Sequence, residues 1–153
     1  MVDEQQHDRL DFEIRRHIYD QLLNGHAAPT IAATADALSV EPSAVRAGFE
    51  RLAQARNLVL QEGSREIMMA QPFSAVPTPF HVEADGHRWW GPCIWDALGI
   101  LAMVKQDGRV LTACGDCGEA MTLTIKEGAL AEGEGIIHFG LPAKHWWDNI
   151  VFT

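Results

Sequence analysis

The sequence predicts an α+β fold: an N-terminal helical, winged-helix-like part followed by a small mixed or antiparallel sheet with helices packed on it. Three observations carry that expectation. Apolar residues recur at helical spacing through the first 56 positions. Three prolines between Gln71 and Pro79 (Pro72, Pro77 and Pro79) then break the pattern, and alternating, strand-like segments take over. Within that second part, Gly91-Pro92 interrupts a strand and a strongly apolar helix follows.

Residues 8–24 read as a first helix, with Leu10, Ile14, His17, Ile18, Leu22 and Leu23 at helical spacing and Asn24-Gly25 as its stop. Thr30 is placed to cap a short helix over 31–38. Glu41-Pro42-Ser43 opens another that runs to about Arg56, with Val45, Phe49 and Leu52 on one face. Leu58-Val59-Leu60 and Ile67-Met68-Met69 flank a polar turn and read as a hairpin wing. Residues 71–79 form the expected linker, which divides the chain into parts 1–72 and 73–153. Beyond it, strands are expected at about 79–84, 87–91, 109–113, 121–126 and 136–140, with Asp85-Gly86 as a hairpin turn. Gly128 to Gly135 reads as a loop. Pro142 opens a short helix bearing Trp146 and Trp147, and Ile150 to Thr153 begins a further strand.

Composition narrows the function classes. Hydrophobic residues make up 47% and charged residues 22%, ordinary for a globular chain of 153 residues. A formal net charge of −9 argues against nucleic acid or an anionic membrane as a partner, because phosphate binding needs a basic face. No apolar run is long enough to span a bilayer and the N-terminus is not signal-like, so the expected compartment is the cytoplasm. A helix pair with a wing suggests DNA reading through the second helix, where Arg46, Arg51 and Arg56 form a local basic stripe. Residues 1–72 oppose that with seven Lys and Arg against eleven Asp and Glu. Nothing in the sequence fixes an oligomeric state.

The chemistry concentrates in cysteines. There are three, an odd number that favours thiol or metal chemistry over a disulfide framework in a reducing compartment. Cys93 follows Gly91-Pro92 at the start of the apolar helix, where Pro92 is expected in the first turn and the helix dipole would stabilise a thiolate. Asp96, three residues on, shares its face. The pair suits binding of a soft metal and proton transfer, although a free cysteine is often only a small buried hydrophobe. Cys114-Gly115-Asp116-Cys117 brings two thiols together on a turn, able to grip one thiophilic ion or form a redox pair. Zinc is possible at Cys114 and Cys117, but a structural site wants two more ligands. No second Cys-x-x-Cys exists, and His81, His87, His138 and His145 sit at no metal-ligand spacing. A thioredoxin-like role is disfavoured because the turn joins two strands, and a plain tight turn with two half-buried thiols remains open. Trp89, Trp90 and Trp95 flank Cys93 and read as core or pocket walls.

The run from Phe80 to Leu98, with its Phe-His strand, Gly turn, Arg88-Trp89-Trp90 strand end and Cys93-Ile94-Trp95-Asp96, resembles the core of the organomercurial (alkylmercury) lyase family. The resemblance continues through Arg109-Val110 and Met121 to Ile125, and reaches back into the N-terminal part, where the family is similar in using a helical winged-helix-like segment as scaffold. It implies cleavage of a carbon–mercury bond in a small organomercurial by two cysteines and an aspartate, with Cys93 as the first thiol and Asp96 as the proton carrier. It also implies Hg(II) as thiolate-bound product, passed on to other thiols, and no organic cofactor; the metal-sensor alternative would instead hold Hg(II) or Zn(II) at Cys114 and Cys117 without turnover. The family's second catalytic cysteine lies beyond the region resembling Gly135 to Phe152, and no cysteine follows Cys117. A truncated form, substitution by Cys114 or Cys117, and loss of activity are the three readings of that departure. The alternatives to a lyase are a thiol-based heavy-metal binding or sensing protein without turnover, and a winged-helix regulator.

Overall fold

The computed structural model describes residues 2–151, with side chains from residue 6 onward. Helix α1 (Val2–Leu23) begins earlier than its apolar periodicity indicates, since the polar residues before Leu10 extend it without burying anything described. Ile14, Ile18 and Leu22 are buried along one face. Gly25 ends the helix with φ +75°, and a Cβ there would also strike the ring of His87. Helix α2 (Ile31–Leu38) is capped by Thr30, whose hydroxyl accepts the amide of Ala33. The carboxylate of Glu66 also accepts the amide of Ile31, placing negative charge at the positive end of that helix. Helix α3 (Pro42–Gln54) starts on proline and buries Val45, Phe49 and Leu52, as the spacing predicts. Asp11 of α1 accepts two hydrogen bonds from Arg51 of α3, at 2.8 and 2.6 Å, closing the pair over Gly48 and Ile14.

Eight strands follow: β1 (Val59–Leu60), β2 (Ile67–Ala70), β3 (Phe73–Ser74), β4 (Phe80–Ala84), β5 (His87–Gly91), β6 (Gly108–Ala113), β7 (Ala120–Lys126) and β8 (Ala129–Glu132). They form one sheet in the order β1-β2-β3-β5-β4-β6-β7-β8, and every pairing is antiparallel. Helix α4 (Ile94–Val104) packs across β3 to β6, and a 3-10 helix spans Ala143–Asp148.

Four expectations need correction. The span 71–79 is not simply a linker, because Phe73 and Ser74 form a buried strand that pairs with β2 and β5. The stretch after Gly128 is not a loop: Glu127 (φ +51°) and Gly128 (φ +74°) make a left-handed two-residue turn, and β8 folds straight back on β7. No strand forms at 136–140, where all five residues are exposed; β8 already occupies the outer edge of β7. The fourth concerns the end of the chain, where the short helix expected after Pro142 does form, as a 3-10 helix bearing Trp146 and Trp147, but the strand expected after it does not begin. Ile150 and Val151 lie in a turn, and the rest of the strand expected at 150–153 lies outside the described residues.

The inner face of the sheet alternates as a half-buried antiparallel sheet should, with Val82 and Ala84, Trp89 and Gly91, Val110 and Leu123 facing the helices. One buried cluster runs from Ile14, Phe49 and Leu58 through Phe73 and Trp89 to Ile100, Leu101 and Val110. Trp89 ties α1 to the sheet, its indole N–H donating to the carbonyl of Leu22 at 2.6 Å. Tyr19 does the same to the carbonyl of Gln71 at 2.8 Å.

Candidate functional site

Strand β5 delivers the chain to the site. Its last residue, Gly91, lies so close to α4 that a Cβ would sit 2.7 Å from the amide nitrogen of Ala97, so only glycine lets the strand end touch the first helical turn. Thr78 fixes that end, donating its hydroxyl to the carbonyl of Gly91 at 2.6 Å. Pro92 precedes the helix cap rather than occupying the first turn, and Cys93 is itself the N-cap, with extended backbone (φ −144°, ψ 177°). Its carbonyl accepts the first helical hydrogen bond, from Ala97. The Cys93 sulfur accepts the amide of Asp96 at 3.4 Å, and its S–H donates to Oδ2 of Asp96 at 3.1 Å. The sulfur thus acts as a helix cap, with thiol and carboxylate held to each other across one turn.

The electrostatics differ from the sequence expectation. A helix start was expected to hold Cys93 as a thiolate, yet the thiol is pushed up to about 11. Burial is the largest cause, and the hydrogen bond to Asp96 and its negative charge add to it. The backbone N–H groups of Asp96 and Trp95 pull the other way and lose. Burial likewise raises the Asp96 carboxyl above its ordinary value, against the lowering effect of the thiol hydrogen bond. The resting pair is thus a neutral thiol on a carboxylate that accepts a proton more readily than most.

Trp89, Trp90 and Trp95, expected to flank the thiol, take three different roles. Trp89 is core, against Phe73 and His87. Trp90 stacks on His81 at 4.7 Å on the other face of the sheet. Trp95, 56% exposed on the first turn of α4, meets Phe139 edge-on, and Phe139 stacks on Trp146. Trp95, Phe139, Leu141, Pro142, Ala143 and Trp146 line an apolar cleft of about 510 Å³. Sequence reasoning missed this cleft and the anchoring role of Thr78. Their only signals are apolar residues in a glycine-rich tail and a threonine set between two prolines.

Cys114 and Cys117 lie on the β6–β7 turn, with Cys114 half-buried and Cys117 exposed. They share one turn but do not join Cys93: among the described residues, no group of three or more His, Cys, Asp or Glu converges as a metal-ligand set. His87 packs on Trp89 and His145 pairs with Asp148 at 2.9 Å. A charged groove of about 460 Å³, where Glu83 bridges Arg88 and Arg109, lies at the Asp85-Gly86 end of the sheet, away from both cysteine positions. No helix among the described residues is long and apolar enough to cross a membrane.

Comparison with solved structures gives a match to a crystal structure of the mercury-bound form of MerB2, with a TM-score of 0.64 at 23% identity, covering 80% of this chain. The likeness establishes a shared fold, and this chain spans 59% of the length of that one. Among curated proteins, none matches the sequence. The family model for alkylmercury lyase (MerB) matches residues 73–153, more than half of the chain and the part that holds β3 to β8, α4 and all three cysteines. The chain therefore belongs to the alkylmercury lyase family.

Proposed function

We propose that this chain cleaves the carbon–mercury bond of small organomercurials by thiol binding and protonolysis at Cys93 and Asp96. The observation that carries the reading is the 3.1 Å contact between the Cys93 thiol and the Asp96 carboxylate at the start of α4, in a chain of this family. Mercury is soft and prefers sulfur. When the metal of R–Hg–X meets the Cys93 sulfur, it acidifies the thiol, and the proton passes along the existing hydrogen bond to Asp96. Asp96 is suited to receive it because burial has already raised its carboxyl. The same proton is then delivered to the carbon, which takes the electron pair of the breaking C–Hg bond and leaves as R–H. Mercury stays as Cys93–S–Hg–X, Asp96 returns to its carboxylate, and the net change is one S–H and one C–Hg bond exchanged for one C–H and one S–Hg bond. Since no third ligand converges on the pair among the described residues, X is an external thiolate in this scheme.

The test is release of hydrocarbon from a methyl- or phenylmercury thiolate, followed by gas chromatography. The wild-type chain should release methane or benzene above the rate of buffer with the same thiol, and Cys93→Ser should lower release at least 100-fold. Equal release by wild type and Cys93→Ser would defeat the proposal.

A further inference from the structure

The second cysteine pair does not enter that chemistry, and its turn is built in an unusual way. Strands β6 and β7 are in register to Ala113 and Ala120, and the amide of Cys114 still pairs with the carbonyl of Glu119 at 2.8 Å. The amide of Gly118 then closes back on the carbonyl of Cys114 at 2.9 Å, with Gly118 at φ +74°. This closure sets Cys114 and Cys117 on one tight turn, three residues apart and just before the glycine that closes it. Both cysteines are free, Cys117 faces solvent, and neither Gly115 nor Gly118 has another atom crowding the space where a side chain would stand.

We propose that Cys114 and Cys117 form a second, two-sulfur site that takes one thiophilic d10 cation, Hg(II) or Cu(I), in near-linear coordination, independently of Cys93. Two sulfurs on one closed turn bind as a single event, so the second thiol acts at a high effective concentration. The turn that carries both sulfurs is closed by its own backbone hydrogen bonds before the metal arrives. Binding of Hg(II) exchanges two S–H bonds for two S–Hg bonds and releases two protons to solvent. Zinc is the wrong ion for the site, because it wants four ligands and no third His, Cys, Asp or Glu joins the pair among the described residues. The acidic side chains of Asp116 and Glu119 on the same turn favour approach of a cation over an anion.

The experiment uses full-length Cys93→Ser protein, so that it reads nothing from the proposed lyase chemistry. Mercuric chloride is added in the presence of a tenfold excess of a monothiol, and the sulfur-to-mercury ultraviolet absorption and bound metal per chain are measured after desalting. One Hg(II) per chain on a monomer is expected. Adding Cys114→Ser and Cys117→Ser together should remove it, and either one alone should weaken retention against the monothiol at least 100-fold. Far-ultraviolet circular dichroism checks that the variants fold, and Cys114→Ala with Cys117→Ala serves if the serine pair does not. Absence of bound mercury in Cys93→Ser, retention after both thiols are removed, or a metal-bridged dimer would overturn the proposal. So would Zn(II) held as firmly as Hg(II), which requires a four-ligand site.

Discussion

At Cys93 two forces act on one sulfur in opposite senses. The first turn of α4 offers it backbone N–H groups, while burial and the Asp96 carboxylate hold its proton on, and the second influence wins. Reactivity toward an alkylating agent follows the thiolate, so iodoacetamide at pH 7.5 should label Cys114, whose thiol is lowered, well before Cys93. Peptide mass mapping of a time course checks the order; Cys93 labelled first would show that the helix start dominates. Asp96→Asn removes the negative charge and should speed labelling of Cys93 at pH 9 several-fold while hydrocarbon release is lost, a divergence that a merely structural role for Asp96 would not give. The same balance has a stability consequence. The folded chain keeps the Cys93 proton up to about pH 11, whereas the unfolded chain loses it near the ordinary thiol value of 9.0. Between those values the unfolded state binds fewer protons, so stability should fall as pH rises, with a slope that Cys93→Ser removes in denaturant titrations. The sequence spacing was enough to bring this thiol and acid together, because an N-cap side chain meets the residue three positions on. It did not reveal the direction of the shift, which depends on the depth of burial, and burial is a property of the packed molecule.

The helices and central strands were legible because each carries its own local signal: Thr30 as cap, Pro42 at the first turn, Asp85-Gly86 as a left-handed turn, and Val45, Phe49 and Leu52 at helical spacing. The edges were not. β3 has two residues inside a proline-rich span, and β8 reads as an acidic loop because its four residues are exposed and lack β-branched side chains. Only pairing with neighbours makes them strands. The three arginines that suggested a nucleic-acid face also proved to be engaged: Arg51 with Asp11, Arg46 with the carbonyl of Ser64, and Arg56 over the ring of Trp147. The junction between β5 and α4 is where element packing governs the site. Gly91→Ala forces a methyl group against the helix backbone, which cannot yield as a flexible side chain can, and should cost about 1–3 kcal/mol in urea unfolding. Thr78→Val should cost about 1 kcal/mol by leaving the Gly91 carbonyl without its partner. Both changes lie outside the Cys93–Asp96 pair, so any fall in turnover of the folded variants would come from displacement of the cap.

Across the whole chain, the sheet runs without interruption from β1 to β8, and the expected boundary at 72/73 falls between the hydrogen-bonded strands β2 and β3. Two hydrogen bonds join α1 to the sheet, from Trp89 of β5 to the Leu22 carbonyl and from Tyr19 of α1 to the Gln71 carbonyl between β2 and β3. Thermal unfolding should therefore give one transition seen alike by far- and near-ultraviolet circular dichroism, and Trp89→Phe should lower stability by about 1 kcal/mol through the lost indole hydrogen bond, the Leu22 carbonyl keeping its bond from the Gly25 amide. Two separate transitions would show that the parts fold alone. Strand β4 lies between β5 and β6 and is antiparallel to both, so β5 and β6 point the same way. The chain segments that leave them, one leading to Cys93 and the other to Cys114, consequently emerge at one pole of the molecule. The opposite pole holds the cluster of Glu83, Arg88 and Arg109. The molecule is thus chemically lopsided: sulfur, with its taste for large polarisable metals, gathers at one end, while oxygen and nitrogen charges satisfy one another at the other.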